Sequence, residues 1–282
     1  SPNEVLCNYS GKRIPRMTGL PVIGAQMTVL DIDRHRNWLF DHDRDLELAE
    51  FTMLDVLEKP DLFIEMAHQK LDGWNGRLSI HGPFSGFSLD TRDKDVRVVV
   101  QRRLSQALDV CARLGANQMV LHSPFDRWDA DNQDNRPGAH AAHTEAIVES
   151  LAPALLRAEA LGVELVLENI RDTDPAHRAA VVAVADTRAL RLSVDVGHAF
   201  WAETVHDAPD VAQWVHAARA DLAHVHLQDS DGQADRHWIP GDGTLPFDAV
   251  FSALAETGAA PRLIVEIKNY DRIAEGAAHF AS

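Results

Sequence analysis

Apolar residues recur along this chain in short runs closed by glycine, proline or charged residues. Val22–Met27, Asp45–Phe51, Arg77–His81, Gln118–His122, Val163–Glu168, Arg191–Asp195, Leu222–Leu227 and Leu263–Ile267 read as strands. Helical spacing is seen in Asp61–Leu71, Asp93–Leu114, Ala141–Leu161, Asp174–Asp186, Pro209–Ala220, Pro246–Thr257 and Asp271–Phe280. Gly115, Gly162 and Gly258 stand where helix C-caps belong. Trp128–Gly138 reads as a polar loop. Mostly apolar strands that alternate with helices over short connections imply a parallel sheet, and eight such units imply a closed one. The expected fold class is therefore α/β, a single-domain (β/α)8 TIM barrel over residues 21–282, preceded by a polar arm at residues 1–20.

That architecture says where to look for chemistry, because such barrels carry it at the C-terminal ends of their strands. The third strand ends in His81, the fourth in His122 and the fifth in Glu168. The sixth ends in Asp195, with His198 three residues on. The seventh carries His226, followed by Asp235 and His237 in a loop that closes on Pro240, Gly241 and Gly243, and the eighth carries Glu266. Imidazoles and carboxylates without a cysteine suit a divalent ion such as zinc, manganese, cobalt or magnesium. Singly, each has a plainer reading: His81 or His122 as hydrogen-bonded structural residues, and Asp195 as a helix N-cap. Glu168 and Glu266 are harder to explain that way, since a carboxylate ending an apolar strand is costly unless paired or metal-bound. His224 shares the inward face of its strand with His226, but deeper. Glu47 is a further candidate to face inward. Asp229 and Asp231 read as solvated or hydrogen-bonding loop residues. His35, His42, His68, His140, His143, His177, His206, His216 and His279 read as surface residues.

Composition narrows the partners. The formal net charge is −16, which disfavours nucleic-acid backbone and anionic membranes. No apolar run reaches the roughly 18 residues of a membrane span, and no signal peptide is visible. Two cysteines, Cys7 and Cys111, make no disulfide framework and point to a reducing, cytoplasmic setting. The oligomeric state stays open.

The segments SIHGPF, VLHSPF, LVLENI, LSVDVGHAF, HVHLQDSDGQADRHWIPGDGTLPF and LIVEI resemble the xylose-isomerase-like barrel superfamily, over about two-thirds of the chain. Its members include sugar-phosphate isomerases and epimerases, hydroxypyruvate isomerases and class II apurinic/apyrimidinic endonucleases. Resemblance to the isomerases and epimerases implies one metal ion on Glu168, Asp195, His226 and Glu266. It further implies substrate contact by His198 and proton transfer by Glu168 and Glu266. Resemblance to the endonucleases implies further zinc ions, up to three in all, on His81, His122, His198, Asp235 and His237. The PGDG turn after His237 favours the first branch and one ion.

The expected activity is thus metal-dependent isomerisation or epimerisation of a sugar or sugar phosphate through an enediolate. Glu168 and Glu266, on strands well apart, would approach the substrate from opposite sides. The alternative is a multi-zinc phosphodiesterase. Arg127, Arg136, Arg171, Arg236 and Lys268 are candidates to hold a phosphate or carboxylate, Lys268 and Arg171 foremost. His237 is a candidate to touch substrate. Phe84, Phe125, Trp128 and Trp238 are candidates to line the pocket.

Overall fold

The structure is a computed structural model that describes residues 22–280; the expected arm at residues 1–20 and Cys7 lie outside the described residues. Eight strands close a barrel in sequence order: β1 (Gly24–Met27), β2 (Leu46–Leu48), β3 (Leu78–His81), β4 (Gln118–His122), β5 (Glu164–Glu168), β6 (Leu190–Asp195), β7 (Leu222–Leu227) and β8 (Arg262–Val265). Every neighbouring pair is parallel. Around the barrel lie α1 (Ile32–Phe40), α2 (Leu54–Glu58), α3 (Asp61–Lys70), α4 (Lys94–Leu114), α5 (Arg127–Asn132), α6 (Ala139–Leu161), α7 (Pro175–Ala185), α8 (Val196–His206), α9 (Val211–Ala218), α10 (Phe247–Thr257) and α11 (Ile273–Ala278). The (β/α)8 barrel expected from the hydrophobic pattern is what the chain forms.

The main core lies between sheet and helices. Leu46, Leu48, Ile80, Met119, Leu121, Leu165, Leu167, Leu192, Val194, Val225, Leu227, Leu263 and Val265 all belong to it, none more than 2% exposed. Burying one such side chain stabilises by about 1.5–3 kcal/mol. The alternate positions of the same strands carry Glu47, Ser79, His81, Glu168, Ser193, Asp195, His224 and His226, all buried. Period-two alternation therefore sorts each strand into an apolar face toward the helices and a polar face toward the barrel axis.

Several elements differ from the sequence expectation. α1 and α8 are helices the pattern hides. In α1 the buried positions are Ile32, His35 and Leu39, so a histidine sits within the apolar stripe. In α8 the run VGHAFWAETVH shows little contrast between its faces. The expected loop Trp128–Gly138 instead contains most of α5, started by a capping box in which Asp126 and Asp129 each accept from the other's backbone N–H. β2 and β8 are shorter than the apolar runs that suggested them, so Glu266 lies one residue past the strand. His35 and His177 are not surface residues: they are 6% and 3% exposed, and His177 Nε2 lies 3.0 Å from Gln133 Oε1. Cys111 is fully buried in α4, as a small core residue. No helix among the described residues is long and apolar enough to cross a membrane.

A buried arginine fixes the strand ends that matter most. Arg178 of α7 is 1% exposed and donates to the Leu167 carbonyl at 2.8 Å and the Ser193 carbonyl at 2.5 Å. It ties β5 to β6 just below Glu168 and Asp195. Asp172, 3.3 Å away, balances its charge.

Candidate metal centre

Strand register brings the site together. His122 is paired with Glu168, Asp195 with His226 and Ser193 with His224, so each pair points the same way from adjacent parallel strands. Glu168 Oε1 lies 2.7 Å from His226 Nδ1, and Glu266 Oε2 lies 3.2 Å from the same nitrogen. The two glutamates expected to approach from opposite sides thus reach one atom. Asp195 completes the group: ligand atoms of Glu168, Asp195, His226 and Glu266 all lie within 4.8 Å of one another. The N-cap reading of Asp195 also holds, since its Oδ1 accepts from the His198 N–H at 2.7 Å. One carboxylate does both jobs.

Two further groups flank this one. Glu168 Oε2 lies 3.7 Å from His81 Nε2 and 3.6 Å from His122 Nε2, and the two imidazoles approach to 3.2 Å. On the other side, Asp235 Oδ1 lies 3.3 Å from His198 Nε2 and 2.9 Å from His237 Nε2. The i, i+2 spacing of Asp235 and His237 does bring both side chains together. The loop is not extended there, because His237 has φ near +50°, a strained value for a non-glycine residue.

Glu47, which does face inward as expected, and two glutamines that the motifs did not single out hold these side chains in place. Glu47 is fully buried; its Oε1 lies 3.0 Å from His226 Nε2 and its Oε2 lies 3.2 Å from His224 Nε2. Gln26 Nε2 donates to Glu47 at 3.0 Å and to Glu266 at 2.7 Å. Gln228 Nε2 is 3.1 Å from each Asp195 oxygen and 3.2 Å from Asp235, while its Oε1 accepts from the His237 N–H at 2.7 Å. The Asn169 side chain exchanges two hydrogen bonds with the Asp195 backbone, and the Asn169 carbonyl accepts from His198 Nδ1 at 2.9 Å. That leaves His198 Nε2 to face the site. The signal for Glu47 was its place in DLELAEF; for Gln26 and Gln228 it was a lone polar residue in or just after an apolar run.

Asp229 is not solvated. It is 1% exposed and accepts from the backbone N–H groups of Ser230, Gly241, Gly243 and Leu245 at 2.8–3.1 Å. It folds the PGDG turn back over β7. Glycine is required at 243, where a Cβ would stand 2.3 Å from Asp229 Oδ1, and at 197, where it would stand 2.4 Å from Gln228.

The candidate substrate-contacting residues fare unequally. Arg236 is committed to Asp231 through two hydrogen bonds, 3.1 and 3.0 Å, and lies over Trp238. Arg127 bonds to Asp131 at 2.7 Å and to the His206 carbonyl at 2.8 Å. Lys268 is exposed, with Nζ 3.4 Å from the Asp235 carbonyl. Phe84 stacks on His122 at 3.9 Å between ring centroids. Trp128 is 74% exposed on α5, and Phe125 is buried. Arg171 is exposed and lines a cavity beside His122.

The electrostatics suit a cation. Burial disfavours charge on Glu168, yet His226 beside it holds its carboxyl well below the usual carboxylate range. Burial likewise opposes charge on His226, but Glu266, Glu168 and Glu47 raise it well above an ordinary imidazole. Burial pushes Asp195 up to about 6, against the pull of His198. His122 is pushed down to about 3 by burial and by His81, so it is a neutral imidazole with a lone pair to give. His198 and His237 resist burial through Asp195 and Asp235 and rise to about 10 and about 9. Glu168 Oε2 is buried with no hydrogen-bond partner among the described residues. An orphaned carboxylate oxygen, among imidazoles and carboxylates of the right type, fits a divalent ion.

Known proteins share this fold. A solved structure described as a D-tagatose 3-epimerase-like protein shares the fold at TM-score 0.74, with 20% identity over 93% of this chain and 96% of that one. A Thermus thermophilus protein from crystals soaked in zinc chloride is 26% identical at TM-score 0.70, covering 93% of this chain and 97% of that one. An uncharacterised protein of Methanocaldococcus jannaschii is 22% identical over 209 residues, 70% of this chain and 67% of that protein. The model of the xylose isomerase-like TIM barrel family matches residues 43–282, and the chain belongs to that family.

Proposed function

We propose that this chain is a divalent-metal-dependent isomerase or epimerase of a sugar or sugar phosphate. The observation that carries the reading is the convergence of Glu168 and Glu266 on one nitrogen of His226, with Asp195 in the same group. The fold shared with a D-tagatose 3-epimerase-like protein supports the choice of substrate class. Glu168, Asp195, His226 and Glu266 would hold one ion: zinc, manganese, cobalt or magnesium. When bound, that ion supplies Lewis-acid stabilisation of negative charge on the sugar's carbonyl and hydroxyl oxygens.

The chain's own groups do the rest. One of Glu168 and Glu266 takes the proton from the carbon beside the carbonyl, and the sugar becomes an enediolate. A proton returned to the other face of that carbon gives the epimer; one returned to the adjacent carbon gives the isomer. His198 presents Nε2 to the substrate because its Nδ1–H is held by the Asn169 carbonyl. Asp229 folds the PGDG turn beside the strand that carries His226.

A second reading, a multi-metal phosphodiesterase, is favoured by one observation. His81, His122 and Glu168 form one further ligand group, and His198, Asp235 and His237 form another. The acidity of the chain speaks for a small-molecule substrate over nucleic acid. To test the first reading, metal-loaded enzyme is incubated with a panel of ketohexoses and aldoses and their phosphates, and products are followed by NMR. New epimers or isomers, lost on Glu266→Gln, support it; an inert panel with a cleaved phosphodiester supports the second.

A further inference from the structure

A cavity of about 190 Å³ opens beside the metal centre, among the loops that follow β3, β4 and β5. It shares His122 with the flanking group that also holds His81 and Glu168, so it adjoins the centre through Glu168. Its walls are mixed: Phe84, Phe87, Leu89, Leu121 and Ile170 stand beside Ser88, His122 and Ser123. Phe84 lies flat against His122, with 9° between the ring planes. The hydroxyls that reach this cavity are already engaged, Ser123 with Asp172 at 2.8 Å and Ser88 with Asp90 at 2.5 Å. Arg171 is different. It is exposed, it lines the same cavity, and no described residue bonds to or pairs with it.

In a chain of net charge −16, a guanidinium that lines a cavity and has no partner among the described residues suits an anionic ligand. The volume is enough for a six-membered ring, since a cavity of about 150 Å³ holds a benzene molecule. We propose that this cavity is the distal subsite of the enzyme, taking a six-membered ring that bears an anionic group, a carboxylate or phosphate, paired with Arg171. The inference rests on the isomerase or epimerase reading for the rest of the substrate, and makes that substrate larger than a free monosaccharide. The ring packs against Phe84, Phe87 and Leu89, and the anion selects among ring-bearing sugars.

The probes are benzoate, phenyl phosphate, phenol and inorganic phosphate, each titrated into the metal-loaded protein by NMR or calorimetry without any turnover. At least one of the two aromatic anions binds, and more tightly than phenol or inorganic phosphate; which of them binds assigns the anion as carboxylate or phosphate. Arg171→Gln weakens that binding about tenfold or more, the scale of a lost charged hydrogen bond. Ser88→Trp, at an exposed position on the cavity wall, blocks it while the melting temperature holds. Equal binding to wild type and Arg171→Gln overturns the proposal, as does inorganic phosphate binding as tightly as phenyl phosphate. Loss of sugar turnover in all assays would sink the isomerase reading and leave this binding result standing, so the two failures are distinguishable.

Discussion

The Nε2 atom of His226 lies 3.0 Å from Glu47 Oε1, and neither side chain is exposed to solvent. An imidazole whose far nitrogen is fixed by a carboxylate presents its other nitrogen in a set tautomer and direction. Here that other nitrogen is the one Glu168 and Glu266 surround. Glu47→Gln keeps the volume and an oxygen acceptor but removes the charge. Metal affinity is then expected to fall about 10–100-fold, measured by competition with a chromophoric chelator. Unchanged affinity would show that Glu47 only packs.

Removal of metal has a stability signature of its own. An ion bound by the folded state alone, at a hundred times its dissociation constant, stabilises by about 2.7 kcal/mol. Exhaustive chelation should therefore lower the melting temperature by several degrees and abolish turnover, and returning the ion should restore both. Calorimetry on chelated and reloaded protein checks this.

The number of ions separates the two functional readings. Asp235 and His237 belong to a flanking group with His198, apart from Glu168, Asp195, His226 and Glu266. With one ion in the central group, Asp235→Asn combined with His237→Gln leaves metal content near one per chain and mainly raises KM. A fall from two or three ions favours the hydrolase. Elemental analysis of the double variant beside wild type gives the answer.

A pH effect is expected at Glu50, two residues past the end of β2. Burial, offset in part by the Val29 N–H, raises the Glu50 carboxyl to about 7 from an ordinary 4.5. Between those values the folded chain binds the extra proton, so stability falls as pH rises through the window. The full effect is about 3 kcal/mol at most. Glu50→Gln removes it. The stability of the variant relative to wild type should rise between pH 5 and pH 8, read by denaturant melts. A constant difference would mean Glu50 is already ionised in the fold.

Much of this molecule could be read from its sequence, for a physical reason. Segments such as LSVDVG and LIVEI juxtapose apolar residues that must be buried with a charged residue that must be satisfied. The barrel rule then says where those charges meet. His81, His122, Glu168, Asp195, His226 and Glu266 were legible that way. Glu47, Gln26 and Gln228 were not given their roles, because those depend on contacts between distant segments: Gln26 meets Glu266 across 240 residues. His35 and His177 were misplaced because a histidine on a helix looks exposed until its packing partner is known. For Asp229 the hydrogen-bonding alternative holds over the solvated one, and its partners are backbone N–H groups, which side-chain patterns do not display.

The most direct test of the central claim is solvent exchange. Metal-loaded enzyme is incubated in deuterated water with a ketose or aldose that it turns over, and with a duplex containing an abasic site. Proton transfer by Glu168 and Glu266 should place deuterium on the carbon beside the carbonyl, and Glu266→Gln should slow this by about 10²–10⁴-fold. The duplex should stay intact. Efficient cleavage of the duplex with no deuterium in any sugar would contradict the isomerase reading and establish the hydrolase in its place.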